Sequence, residues 1–191
     1  MKIEKYCIKQ HQKTNHYYDE YLPYEFHLRM VVNVAEKYSF LLDDKKDYVT
    51  GKTQEETSYF DRNEFITLRE ACMRAAWGHD LIEDTRTSFN DVKEELGVEA
   101  AEIVFAVTNE KGKTRKDRAN KKYYDGIRAT PGAVFVKLCD RIANVQYSKM
   151  TSSRMYGKYN EENPNFIKSL GFKPNHPYKI MFNELNELLN G

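Results

Sequence analysis

Apolar residues recur along much of this chain at intervals of three and four, the spacing that places them on one face of a helix. From Tyr24 onward, Phe26, Met30, Val31 and Val34 predict a first helix. Residues 64–80 repeat the pattern through Phe65, Leu68, Ala71, Cys72, Ala75 and Ala76, and read as a buried helix. Thr87 or Ser88 is placed to cap a short helix that ends near Gly97, because a hydroxyl takes up the free N–H groups of a helix start and glycine closes its end. Residues 98–107 are apolar enough for another buried helix. Pro131 and Gly132 punctuate the chain before residues 133–150, where Val134, Phe135, Leu138, Ile142 and Val145 are expected inward. A last helix is predicted over residues 177–189. Strand signals are weak throughout, and most of the first twenty residues, polar and tyrosine-rich, carry no assigned element. The expected fold is all-α, a compact arrangement of several helices.

Length and composition narrow this picture. At 191 residues the chain suits one domain, with a core over about 23–150 and a helical closure over 151–191. Residues 43–62 form a polar stretch too long for an ordinary loop, and read as a mobile insertion or a lid. No apolar run reaches the roughly 18 residues of a membrane span, and the N-terminus lacks a secretory apolar segment. Cys7, Cys72 and Cys139 stand far apart, as reduced thiols of a cytoplasmic protein would. With 30 basic and 29 acidic residues, charge gives no case for nucleic acid. The exception is the run KGKTRKDRANKK at residues 111–122, which reads either as a solvated loop and helix start or as a patch gathering a phosphate-rich ligand.

Four groups could supply a metal centre: His27, the adjacent His79 and Asp80, and Asp140. Imidazole nitrogen with carboxylate oxygen suits a divalent transition ion such as manganese, iron or zinc. Neighbours on a regular helix point about 100° apart, so His79 and Asp80 share an ion only at a distortion or helix end, which Gly78 could permit. Asp140 sits in the apolar stretch FVKLCDRIANV, where an unpartnered carboxylate is costly and needs a cation. Taken alone, Asp140 also fits a salt bridge to Arg141 or Lys137, and His27 fits a satisfied core histidine. Glu83 and Asp84 fall one helical turn past Asp80, where carboxylates beside a metal can position water or act as general base or acid. On spacing alone they equally fit a helix start or solvated turn.

The runs PYEFH (23–27), HDLIEDT (79–85), VTNEK (107–111) and PGAVFVKLCDRIAN (131–144) resemble, in this order, the hydrolase domain of RelA/SpoT homologues. The shape is closest to the stand-alone small alarmone hydrolases, and the resemblance covers about residues 23–150. It implies an all-helical HD-domain fold binding one manganese ion through His27, His79, Asp80 and Asp140. It further implies that Glu83 and Asp84 organise the water attacking the 3′-pyrophosphate of guanosine tetra- or pentaphosphate, giving GDP or GTP and pyrophosphate. Asn144 matches the family's ligand-contacting asparagine, and Tyr24 the tyrosine lining its nucleoside pocket; each alone also fits an ordinary helix-surface or packing position. Lys113, Arg115 and Lys116 are candidate partners of the pyrophosphate.

The chain departs from the family pattern in two places. Tyr18 and Asp19 stand where the family commonly has a basic pair holding the nucleotide. A tyrosine can stack on a base, whereas an aspartate cannot neutralise phosphate. The other departure is the stretch 43–62. Met155, Lys158 and Tyr159 are candidates for the far wall of the pocket. An HD phosphohydrolase acting on an adenosine alarmone, a nicotinamide dinucleotide phosphate or a simpler nucleotide stays open, as does a nucleotide sensor, which the intact metal and carboxylate sets disfavour. No synthetase or regulatory domain fits in the remaining residues. The sequence is silent on oligomeric state.

Overall fold

A computed structural model describes residues 2–46, 48, 51–54 and 65–191. Most of the 43–62 stretch, and residue 64, lie outside the described residues; the helix predicted from residue 64 begins only at Leu68, since Thr67 is the extended residue that caps it. The helices run in the order α1 (Ile3–Lys13), α2 (Glu25–Tyr38), α3 (Leu68–Gly78), α4 (Leu81–Asp84), α5 (Phe89–Leu96), α6 (Val98–Val107), α7 (Arg115–Arg118), α8 (Lys121–Ala129), α9 (Ala133–Met150), α10 (Arg154–Ser169) and α11 (Lys179–Asn190). Between α1 and α2 a small antiparallel hairpin pairs β1 (Tyr17–Tyr18) with β2 (Leu22–Pro23), in the register Tyr17 to Pro23 and Tyr18 to Leu22. The fold is all-α, as the periodicity predicted.

Helix α9 is the axis of the molecule. It packs against α2, α3, α6, α8, α10 and α11, and its buried residues, among them Phe135, Leu138, Ile142 and Val145, leave little of it facing water. A helix apolar on most sides belongs in the interior. Around it, α2 buries Leu28, Val31, Val34 and Ala35, and α11 closes the core with Met181, Phe182, Leu185 and Leu189. One inward assignment for α2 is corrected: Phe26 is 37% exposed, and the neighbouring His27 and Leu28 turn inward instead.

Helix starts and stops follow local chemistry. The Thr67 hydroxyl accepts from the Glu70 N–H and starts α3, while Ser88 and Asp91 form a reciprocal capping box at α5. Gly97, with φ +93°, ends α5 and leads into α6. Helix α3 stops at Gly78, and Asp80 already has non-helical angles, so the expected break at the His79–Asp80 pair is present. The glycine serves packing there: a Cβ on Gly78 would stand 2.5 Å from Leu96 Cδ2. Cys7, Cys72 and Cys139 are free and buried. No helix among the described residues is long and apolar enough to cross a membrane.

Candidate active site

His27, Asp80, Glu83, Asp84 and Asp140 line a cavity of about 620 Å³, with His79 buried against them. His27 comes from the first turn of α2, His79 and Asp80 from the break between α3 and α4, and Asp140 from the middle of α9. His27 Nε2 and His79 Nε2 lie 3.2 Å apart. Asp80 Oδ2 is 2.8 Å from His79 Nε2 and 3.5 Å from His27 Nε2, and Asp140 Oδ1 is 3.5 Å from His27 Nε2. His27, His79 and Asp140 each offer a ligand atom, all within 4.8 Å of one another, so they form a possible metal site.

The donor chemistry fits a cation. His79 Nδ1 bonds the Ala76 carbonyl at 3.0 Å, which makes Nδ1 the protonated nitrogen and leaves the Nε2 lone pair facing the cavity. Two Nε2 atoms 3.2 Å apart cannot both carry protons comfortably, yet two buried carboxylates beside them need positive charge. Burial opposes a charge on His27, but hydrogen bonding to Asp140 and Asp80 lifts its pKa to about 9. Burial likewise opposes charge on Asp80, and the histidines, His79 first, still hold its carboxyl well below the usual range. Asp140 is held low against burial chiefly by Lys137, whose Nζ donates to Asp140 Oδ2 at 3.0 Å. A divalent ion on these ligands would take the place of the protons.

Glu83 and Asp84 flank the cluster in different environments. The Asn109 side chain donates to both Glu83 oxygens, at 2.9 and 3.0 Å, and the Asn109 backbone N–H donates to Oε2 at 3.2 Å. Asp84 is desolvated and faces Asp80 and Glu83, which together push its pKa up to about 7. The buried Tyr24 hydroxyl donates to Asp80 Oδ2 and lies 3.4 Å from Asp84 Oδ2. Asn144 Nδ2 donates to Asp140 Oδ1 at 2.5 Å and accepts at Oδ1 from the Tyr18 hydroxyl at 2.9 Å. The Tyr18 ring stacks on His27, centroids 4.7 Å apart at 14°. Asp19, in the left-handed region at φ +50°, accepts from the Tyr147 hydroxyl at 2.7 Å and is not among the cavity-lining residues.

The basic run divides between its two readings. Arg115, Lys116 and Arg118 line the cavity, whereas Lys121 and Lys122 pair on the surface with Asp125 and Glu110. Lys113 is exposed in the turn before α7 and does not line the cavity. Tyr159 lines the far wall; Met155 and Lys158 do not. Asn109, Arg141 and Glu162 also line it and were not singled out for the site. For Asn109 a signal existed, since it lies inside the VTNEK run directly after α6; Glu162 stands in polar sequence that carries none.

The fold is the all-α arrangement expected of an HD domain, and the cluster is a possible histidine–aspartate metal site. No family model matches the chain. A solved structure of a metazoan ortholog of SpoT, one that hydrolyzes ppGpp and plays a role in starvation responses, shares the fold with a TM-score of 0.64 at 18% identity, covering 100% of this chain and 93% of that one. By sequence the chain is similar to guanosine-3′,5′-bis(diphosphate) 3′-pyrophosphohydrolase MESH1 of Mus musculus, 31% identical over 74 residues, 39% of this chain and 41% of the relative. The Drosophila melanogaster protein of that name is 30% identical over 77 residues, 40% of this chain and 43% of the relative. The matched segment thus spans about two-fifths of each relative's length. The resemblance read from the motifs is met in both fold and sequence.

Proposed function

We propose that the chain, acting as one domain, is a manganese-dependent phosphohydrolase that removes the 3′-pyrophosphate of guanosine tetra- or pentaphosphate. The observation that carries this is the meeting of two imidazole Nε2 atoms, 3.2 Å apart, with Asp80 and Asp140 beside a cavity that Arg115, Lys116, Arg118 and Arg141 also line. His27, His79, Asp80 and Asp140 would hold the ion, and their mixed nitrogen and oxygen donors suit manganese. When bound, it supplies a positive charge against which phosphoryl oxygens develop negative charge.

In the reaction, the oxygen of water bonds to the phosphorus esterified at O3′, and the P–O3′ bond breaks. The 3′ oxygen takes a proton, and pyrophosphate leaves carrying the water's oxygen. Glu83, fixed by Asn109, is placed to accept from the water and orient it. Asp84, desolvated beside the cluster, is the carboxyl that would carry a proton and deliver it to the 3′ oxygen. Tyr24 braces Asp80, Asn144 braces Asp140 and Tyr18 holds Asn144; the two tyrosines line the cavity that would take a nucleoside, and Arg115, with Lys113 nearby in the chain, would meet phosphate.

The test is incubation with manganese and guanosine tetraphosphate, with products separated by chromatography. GDP and pyrophosphate are expected, with the rate reduced by at least ~100-fold in a Glu83→Gln/Asp84→Asn variant. Parallel reactions hold an adenosine alarmone and a nicotinamide dinucleotide phosphate, because the engagement of Tyr18 with His27 and of Asp19 with Tyr147 leaves no basic pair at that edge. Turnover of one of these without guanosine tetraphosphate would replace the guanosine reading.

A further inference from the structure

Where Arg115 and Arg141 line the cavity, a carboxylate already occupies them. Glu162, on α10, accepts from Arg115 through both oxygens, Nε to Oε1 at 3.1 Å and Nη2 to Oε2 at 3.2 Å. The Oε2 atom also accepts from Arg141 Nη1 at 3.3 Å. All three residues line the cavity. A carboxylate offers a guanidinium the same pair of acceptor oxygens as a phosphate, so Glu162 sits on donors that a phosphate would use.

The two arginines are held differently. Arg141, on α9, has its guanidinium 4.2 Å over the Phe166 ring and 4.8 Å over the Tyr159 ring, and its side chain is only 10% exposed. Arg115 is 44% exposed and stands on the four-residue α7. The pair Arg115–Glu162 is therefore a partly solvated ion pair, of the kind that water weakens. Burial works against a charge on Glu162, but Arg115 and then Arg141 outweigh it and keep it ionised.

We propose that Glu162 is an internal competitor for Arg115 and Arg141, displaced when a terminal phosphate or diphosphate group reaches them and recaptured when that group leaves. This rests on reading the cavity as that of a nucleotide phosphohydrolase. Glu162 is then a specificity-determining residue: it lowers affinity for anionic ends in general, and admits only groups whose charge and bidentate geometry exceed its own. A plain structural brace would act in the opposite sense, because loosening it would disorder α7 and weaken binding.

The experiment is calorimetric titration of the full chain with manganese present, wild type against Glu162→Gln, using GDP, inorganic pyrophosphate and guanosine. The variant is expected to bind GDP, pyrophosphate or both about tenfold more tightly, with guanosine unchanged. Tightening of GDP places the 5′ end of the nucleotide at the arginines; tightening of pyrophosphate places the leaving group there. Glu162→Asp, one methylene short of the bidentate reach, is expected to fall between. In an Arg115→Gln background the gain should shrink, and in steady state KM should fall with kcat not raised. Equal or weaker binding of both anions by Glu162→Gln would overturn the proposal. If hydrolysis of guanosine tetraphosphate proceeds while both affinities stay equal, Glu162's role alone fails. If the wild type binds GDP without hydrolysing that substrate, the reaction fails and the titrations still decide the role of Glu162. A wild type that binds neither anion would overturn both.

Discussion

A few residues show how burial sets chemistry here. His11 is 1% exposed, stacked on Tyr24 at 4.3 Å and bonded through Nδ1 to His16 Nδ1 at 3.0 Å. Desolvation, only partly offset by Asp80, lowers its pKa to about 3. The folded form therefore takes up the proton much later than the unfolded chain as pH falls. Its contribution to stability is complete above pH 6.5 and is lost as pH drops from 6.5 toward 3. Chemical denaturation across that window should show a slope approaching about 1.4 kcal/mol per pH unit from this group. His11→Phe should flatten it; an unchanged slope would assign the loss elsewhere. Glu83 and Asp84 make a related point, being adjacent in sequence yet different in surroundings: one is held by Asn109, the other desolvated beside Asp80.

Among the elements, those written in strong periodic code were legible. Helices α5, α6 and α9 follow apolar repeats and the punctuation of Ser88, Gly97 and Gly132. Helix α1 was not, because only Tyr6, Cys7 and His11 of its residues are buried and such a stripe is faint against polar neighbours. Helix α10 carries Gly157 and Pro164, both of which argue against a helix locally; it forms because Phe166 and Asn163 pack inward. The misplaced Phe26 has a similar origin, since spacing gives a stripe but not which of two adjacent stripes meets the core. Gly132 shows what punctuation does in space. It has φ +84°, and a Cβ there would stand 2.5 Å from Cys72 Sγ and 3.0 Å from Ile103 Cδ1. Gly132→Ala should therefore cost about 2–4 kcal/mol, from the left-handed backbone and the overlap together. Gly126→Ala on α8, where nothing lies within 4 Å, should instead be neutral or stabilising by about 0.5–1 kcal/mol. Thermal melts of the two variants separate these outcomes.

At the scale of the whole molecule, the proposed ligand set was legible as motifs, whereas Arg141 and Glu162 of the cavity wall were not, because they meet only when α9 and α10 pack. If the proposed ion binds beside Asp80 and Asp140, it should stabilise the fold as well as serve the proposed reaction. Removing metal with a chelator should abolish turnover and lower the melting temperature, and manganese should restore both. A ligand at a hundred times its Kd adds about 2.7 kcal/mol to stability, roughly 5–10 °C for a domain of this size. His27→Ala should show no manganese-dependent shift, and a shift retained in that variant would place the ion elsewhere.

The proposed centre would draw on positions 27, 79, 80 and 140, carried by α2, the α3–α4 break and α9. During synthesis, at about 5–20 residues per second, both histidines leave the ribosome well before the second aspartate. A nascent chain would thus spend several seconds with an incomplete ligand set, and the helix that completes it is the one at the axis of the fold. On that proposal a copy stays inert until α9 has emerged and packed.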